Sequence, residues 1–205
     1  VLQIAVKTHA KRIVAIELNA VAVSCARKGI ALLRGKTHQR AGNIDAASKI
    51  ELIEGDVATV LPTLPLASFD RIIAPRPKGV EANVDGGGGD GGSLFLNLLL
   101  PLLKCRGECH WYDFASKAEL PSCLRTTSFL EEACAKHGLA CEILHVGLAG
   151  KKSIAARQYR VCVDFRVRPI SAEAQRAHGK DVVDARMLAH TSKKQMFGLK
   201  RDANQ

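Results

Sequence analysis

Three short apolar runs, each followed by a polar or helical stretch, constrain the fold more than any other feature of this chain. The runs are RIVAIEL (residues 12–18), KIELIEGDV (49–57) and FDRIIAP (69–75). Between the first two lies NAVAVSCARKGIALLR (19–34), whose apolar residues recur at helical spacing behind a capping Asn19. Strands that alternate with helices form a mostly parallel sheet covered on both faces, so this pattern predicts an α/β protein.

The second half of the chain extends the same pattern. Residues 93–104 predict a buried helix that ends near Pro101, 107–116 a strand, and 117–138 a helix that ends at a glycine. Two further β-rich runs, 140–149 and 158–167, predict an antiparallel hairpin. The sequence therefore predicts a doubly wound, Rossmann-like sheet that is mostly parallel and ends in an antiparallel hairpin. The chain opens on a helical pattern, VLQIAVKTHA, so we expect the first strand of such a sheet to be missing.

Two segments fall outside this pattern. EANVDGGGGDGGS (81–93) is too uniform in glycine for a phosphate-binding turn and predicts a flexible loop insertion. From residue 169 the apolar periodicity is lost and basic residues outnumber acids, which predicts a flexible basic tail with a short helix near 181–190. The expected organisation is a catalytic domain over residues 1–168 and a tail over 169–205.

The charge of the chain favours polyanionic partners. Among its 205 residues, 30 Lys and Arg face 20 Asp and Glu, for a formal net charge of +10. Nucleic acid is the first candidate and acidic lipid the second, with a merely basic protein as the alternative. No run of 18 apolar residues and no signal-peptide pattern are present, so we expect no membrane contact and an intracellular location, cytoplasmic with nuclear or mitochondrial as alternatives.

The seven cysteines favour reduced, buried thiols over a metal site. They are odd in number, scattered through apolar surroundings, and form no C-x-x-C pair. Disulfide frameworks and zinc sites normally show paired spacings, so the sequence predicts neither, and no metal is expected.

An acidic residue stands at the end of each of the first two predicted strands. Glu17 ends the first strand, and a carboxylate there can accept hydrogen bonds from both hydroxyls of a ribose. Asp56 ends the second strand, where it can accept from an adenine amino group while Val57 packs on the ring. Ligands of such sheets bind outside the carboxyl ends of the strands. Each acid alone is more often a helix cap or a solvated turn, but together they describe an adenosyl pocket.

At this point the chain resembles a known family. RIVAIELNAVAVSCARKGIALL, KIELIEGDV, FDRIIAPRPKGVEA, LLPLLKCRGECHWYDF and SIAARQYRVCVDFRV are similar to class I S-adenosylmethionine methyltransferases. More narrowly, they resemble the tRNA (guanine-N1) methyltransferases that act beside the anticodon, together with the related aminocarboxypropyl transferases of wybutosine synthesis. The resemblance covers residues 1–168, and leaves out the glycine insertion and the tail.

The resemblance implies S-adenosylmethionine as cofactor, tRNA as partner and a set of site residues. Cofactor contacts fall on Glu17, Leu18, Asn19, Asp56, Val57, Ala74 and Pro75. Substrate contacts fall on Arg76, Pro77 and Lys78. The family carries an Asn-Leu-Pro or Pro-Leu-Pro-like motif after the third strand. This chain has Ala74-Pro75-Arg76-Pro77 there, so no asparagine is present to hold a guanine edge.

The expected activity is methylation of N1 of the guanosine 3′ of the anticodon, by a monomer. The alternatives are aminocarboxypropyl transfer in wybutosine synthesis and a non-catalytic RNA-binding relative. The family's glycine-rich donor loop would precede Val1, so we expect an N-terminally truncated chain that by itself binds the donor weakly or not at all. Removing the N1 proton requires a base. Asp70, expected to be buried, and His110, within a strand, are weak candidates, and no catalytic residue is assigned.

Overall fold

The computed structural model describes residues 1–36, 46–75, 91–150 and 158–170. The chain divides into two compact units, with the boundary between Thr63 and Leu64. The predicted tail helix near 181–190, most of the glycine insertion and residues 76–78 lie outside the described residues. Within the described ranges, none of the helices combines the length and apolar character that a membrane-spanning helix requires.

The first unit is built on two parallel strands. Its elements are α1 (Leu2–Lys7), β1 (Ile13–Glu17), α2 (Ala20–Lys36), β2 (Ile50–Glu54), α3 (Val57–Val60) and a 3₁₀ turn (Leu61–Thr63). Strand β1 pairs with β2 from Ile13↔Ile50 to Glu17↔Glu54. Val23, on α2, is fully buried, as the helical spacing of apolar residues predicts.

The second unit is built on a four-stranded sheet of order β3-β4-β6-β5. Its elements are β3 (Phe69–Pro75), α4 (Gly91–Leu99), a 3₁₀ turn (Leu100–Leu102), β4 (Leu103–Ser116), a 3₁₀ turn (Lys117–Glu119), α5 (Leu124–Lys136), β5 (Leu139–Leu148) and β6 (Gln158–Pro169). Strands β3 and β4 are parallel, whereas β6 is antiparallel to both β4 and β5. The predicted mixed α/β architecture with its C-terminal hairpin is confirmed.

The two faces of this sheet differ in character. Alternate residues of β4 and β6 form an apolar core, in which Trp111, Val163 and Phe165 are at most 1% exposed. Helices α4 and α5 cover that face, and the Trp111 ring lies 5.7 Å from Phe95 and 6.0 Å from Phe129. The opposite face, here named the polar face, carries charged, polar and aromatic side chains: Arg71, Glu108, His110, Tyr112, Phe114, Arg160, Cys162, Asp164 and Arg166.

Two helix predictions were wrong at their boundaries. The helix predicted within 93–104, with its end near Pro101, begins two residues earlier at Gly91 and ends at Leu99, because Pro101 lies in a 3₁₀ turn and Leu103 already pairs with Phe69 in the sheet. The helix predicted over 117–138 begins only at Leu124. Pro121 restricts the residue before it and has no backbone N–H, so a continuous helix cannot run through this point. Gly138, at φ 66°, ends α5 as predicted.

The prediction of uniformly buried thiols was wrong in part. All seven cysteines are free, and Cys109, Cys123 and Cys134 are buried. Cys25 and Cys105 are exposed, because each occupies a solvent-facing position of its helix or strand. Burial of a cysteine therefore depends on the face it occupies, which composition alone does not reveal.

Candidate functional site

The carboxyl ends of β1 and β2 lie side by side in the first unit. Glu17 and Glu54 are register partners, and the Gly55 backbone N–H donates to the Glu17 carbonyl at 3.0 Å. Parallel strands are about 4.8 Å apart, so the groups that follow them share one edge. This edge carries the predicted residues Glu17 and Asp56.

The Glu17 carboxylate is held in place and keeps one oxygen available. Its Oε1 accepts from the Asn19 backbone N–H at 2.8 Å, and the side chain is half-buried. No donor to its Oε2 is found among the residues that the structure describes. A carboxylate oriented at a strand end, with no donor to Oε2 within the described ranges, is the group that a ribose hydroxyl would need.

Asn19 is confirmed as the cap of α2. Its Oδ1 accepts from the backbone N–H groups of Val21 at 2.9 Å and Ala22 at 3.3 Å. The carboxamide oxygen therefore serves as the N-terminal cap of the helix. Leu18, in contrast, is 69% exposed and offers an apolar surface at the same edge.

Asp56 has the capping role that was the alternative to ligand binding. Its Oδ1 accepts from the Ala58 N–H at 2.8 Å and begins α3, while its carbonyl accepts from Thr59 and Val60. The side chain is exposed, and Val57 beside it is half-buried. Capping uses one carboxylate oxygen, so the second can still accept from a ligand.

The remaining predicted site residues belong to the second unit. Ala74 is 1% exposed and Pro75 is exposed, and both end β3 opposite Trp111 and Tyr112. Because its side chain is buried, Ala74 can offer a ligand only its backbone. The predicted substrate residues Arg76, Pro77 and Lys78 follow directly but lie outside the described residues.

A cavity of about 230 Å³ opens at the end of β3. It is lined by Ile73, Pro75, Tyr112, Asp113, Phe114 and Arg160. The Arg160 guanidinium stands 5.9 Å from the centre of the Phe114 ring. Two aromatic rings and a cation are the groups on which nucleic-acid bases stack.

Sequence reasoning missed the cavity residues Tyr112, Phe114 and Arg160. The alternation in HWYDF does place Tyr112 and Phe114 on one face of a strand. Arg160 joins them only through the register Phe114↔Arg160, across 46 residues of sequence. That pairing cannot be read from either segment alone.

The two weak candidates for a general base differ in the structure. Asp70, expected to be buried, has an 83% exposed side chain and is bound by Lys104 Nζ at 2.9 Å. The hydrogen bond from Lys104 lowers the pKa of Asp70, which leaves it a weak base. His110 Nδ1 lies 2.6 Å from Asp164 Oδ1, an arrangement that orients the ring and leaves Nε2 as the nitrogen for any proton transfer.

Solved structures share this architecture. P. horikoshii TYW2 in complex with MeSAdo matches at TM-score 0.59 and 18% identity, over 83% of this chain and 52% of that one. M. jannaschii TYW2 in complex with AdoMet matches at TM-score 0.58 and 19% identity, over 82% of this chain and 63% of that one. Trm5b from Pyrococcus abyssi matches at TM-score 0.55 and 22% identity, over 77% and 38%.

The chain has the fold of the class I S-adenosylmethionine methyltransferases. It spans between 38% and 63% of the length of these three structures. No protein-family model matches its sequence. The fold is therefore assigned from structural similarity and not from sequence. Any inference about chemistry has to come from the residues at the strand ends of this chain.

Proposed function

We propose that this chain is the catalytic part of an S-adenosylmethionine-dependent tRNA methyltransferase. The observation that carries the proposal is the pair of acids at adjacent strand ends, each with an oxygen available, on a methyltransferase fold. The target we propose is N1 of the guanosine 3′ of the anticodon, in line with the family that the sequence resembles.

The first unit has groups that fit the nucleoside of the donor. Glu17 would accept hydrogen bonds from the ribose hydroxyls through its open oxygen. Asp56 would accept from the adenine amino group, while Val57 and the exposed Leu18 would pack on the ring. Asn19 acts through α2, whose first turn it holds behind Glu17. When bound, S-adenosylmethionine supplies an electrophilic methyl group on a sulfonium.

The second unit has groups that fit the target base. Tyr112 and Phe114 would stack on it, and Arg160 would stack or contact a phosphate. Pro75 ends β3, and its ring fixes φ at that point, which favours an extended backbone beside the base. The protein's main contribution would be to position the base, since methyl transfer is a displacement that depends on alignment.

Aminocarboxypropyl transfer is a second candidate. It would use the same donor and the same strand-end acids, and the likeness to two TYW2 structures favours it. The two reactions leave groups of different mass on the nucleoside, so one product analysis distinguishes them.

The test is reconstitution of the full-length gene product with donor and with tRNA from a strain lacking the gene. We expect nucleoside mass analysis to show one added methyl group on guanosine, absent with Glu17→Ala and retained with Glu51→Ala on the neighbouring strand. An aminocarboxypropyl group would establish the second candidate. Unmodified tRNA, from a protein that binds both donor and tRNA, would contradict both.

The proposed binding of the target base in the cavity at the end of β3 is tested with a separate variant. Phe114→Leu keeps an apolar side chain but removes the stacking ring, and we expect a loss of product without a loss of donor binding. Unchanged turnover by Phe114→Leu would show that the target base does not use this cavity.

A further inference from the structure

We propose that His110, Cys162 and Asp164, on the polar face of the second unit, form a zinc site with three protein ligands. The three ligand atoms, an imidazole nitrogen, a thiol sulfur and a carboxylate oxygen, lie within 4.8 Å of one another. These are the three donor types that zinc takes from proteins. The site shares no residue with the strand-end acids and does not depend on the proposed methyl transfer.

The sheet itself positions the ligands. His110 on β4 and Asp164 on β6 are register partners, and Cys162 lies two residues before Asp164, on the same face of β6. Two ligands therefore share a strand and the third stands directly across the ladder. Sites built on paired strands are held more precisely than sites built on loops.

The distances require only a small opening. His110 Nδ1 and Cys162 Sγ both approach Asp164 Oδ1, at 2.6 Å and 3.2 Å. Tetrahedral zinc, with bonds of about 2.0 to 2.3 Å, places its ligand atoms roughly 3.3 to 3.6 Å apart. Those separations would lengthen each of the two contacts to Asp164 Oδ1 by less than about 1 Å.

The three side chains of the cluster are partly exposed, so an ion could enter from solvent. The side chains of His110 and Asp164 are each 26% exposed, and Cys162 is half-buried. Three protein ligands leave the fourth position of a tetrahedral ion to water. Tyr112 is the register partner of Cys162 and lines the cavity described above, so the cluster adjoins that cavity.

A nucleophilic cysteine is the main rival explanation of the cluster. Cys162 Sγ donates to Asp164 Oδ1 at 3.2 Å, so the thiol faces a carboxylate, and the nearest imidazole nitrogen contacts that same carboxylate. In a coordination shell the thiol proton would be displaced, and the sulfur, the carboxylate oxygen and the imidazole nitrogen would all face the ion.

Sequence spacing could not reveal this site. The sequence search looked for paired cysteines, whereas these ligands lie at 110, 162 and 164, far apart except for one i, i+2 pair. Only the β4–β6 register brings the histidine to the other two.

The test is titration of the metal-free, full-length gene product with Co²⁺, a spectroscopic substitute for zinc. We expect a near-ultraviolet thiolate-to-cobalt charge-transfer band and intense visible bands typical of four-coordination, both suppressed by competing Zn²⁺. Cys162→Ser should abolish the charge-transfer band, and His110→Ala and Asp164→Asn should each weaken binding at least about tenfold. Cys25→Ser and Cys105→Ser, at the two exposed cysteines, are controls that should leave it unchanged.

A second measurement uses the unaltered protein, so its result does not depend on whether the variants fold. Zn²⁺ should protect Cys162 of the unaltered protein from alkylation, as read by peptide mass analysis, and should leave Cys25 and Cys105 reactive. Equal alkylation of Cys162 with and without Zn²⁺ would overturn the proposal. A cobalt charge-transfer band that survives in Cys162→Ser would do the same.

Discussion

Single side chains near strand ends have structural roles in this molecule. Asn19 and Asp56 both cap helices, while Glu17 is held by the backbone of Asn19. The sequence alone placed Glu17 at the end of β1 and Asn19 at the start of α2, because an acid or amide between a β-rich run and a helical pattern is a local signal. It placed Asp56 at the end of a strand over 49–57, whereas β2 ends at Glu54 and Asp56 caps α3. The sequence could not decide between capping and ligand binding; the structure shows the caps, and ligand binding stays a prediction.

The cap at Asn19 should be measurable as stability. Asn19→Ala removes the acceptor of two backbone N–H groups, and we expect the free energy of unfolding to fall by about 1 kcal/mol. Asn19→Ser retains a capping oxygen and should recover most of this loss. Urea denaturation followed by circular dichroism measures both, and equal stability of the two variants would show that the cap contributes nothing.

Glu108 links the strands of the polar face through charge. Its two oxygens accept from Arg71 Nη2 and Arg166 Nη2, each at 2.5 Å. The hydrogen bonds from Arg166 and Arg71 hold the pKa of Glu108 below its usual 4.5. A carboxyl group with a lowered folded-state pKa stabilises the fold above its unfolded-state pKa, and loses that contribution as the pH falls through its folded value.

We therefore expect Glu108→Gln to lower the free energy of unfolding at pH 7 and to flatten its decline below about pH 4.5. Urea midpoints at a series of pH values from 7 to 3 measure the effect. Glu132→Gln, at an exposed position of α5 with no ion pair seen within the described ranges, is the matched control. Parallel pH profiles for Glu108→Gln and the unaltered protein would contradict the assignment.

At the scale of elements, periodicity predicted the type of each strand and helix better than its ends. β3 was predicted at its observed bounds because Phe69–Pro75 is β-rich and ends at a proline. β4 begins at Leu103, four residues earlier than predicted, because LLPLLK is apolar enough for either a helix or a buried strand. Pairing of Leu103 with Phe69 in the sheet favours the strand, and this contact cannot be read from the local sequence.

The second unit's cavity and its cluster of His110, Cys162 and Asp164 were unpredictable for the same reason. Their residues come from strands that are adjacent in the sheet but distant in sequence. The order β3-β4-β6-β5 brings together groups that no local pattern connects.

Helix α5 provides a direct test of the core. Leu130 is fully buried and Leu124 is 68% exposed on the same helix. We expect Leu130→Ala to lower the free energy of unfolding by about 2 to 5 kcal/mol, because it removes packed methyl groups and leaves a cavity. Leu124→Ala should change it by less than about 0.5 kcal/mol. If the two variants lowered the free energy of unfolding by similar amounts, α5 would not pack on the sheet through the face that carries Leu130.

At the scale of the whole molecule, the net charge of +10 should govern RNA affinity. If tRNA binds through Lys and Arg contacts to phosphate, counterions are released, and the affinity should fall at least about tenfold between 50 and 200 mM salt. Filter binding or fluorescence anisotropy over that range measures the slope. A flat salt profile would rule out a predominantly electrostatic interface.

Donor binding is the measurement that tests the central claim most directly. Isothermal titration of the full-length gene product with S-adenosylmethionine should give micromolar affinity. Glu17→Ala should weaken it at least about tenfold, because hydrogen bonds to a charged acceptor are lost. Glu51→Ala, which removes a carboxylate near the start of β2 that is paired with Arg12, should bind like the unaltered protein. Absence of any donor binding by the intact protein, or full binding by Glu17→Ala, would contradict the account.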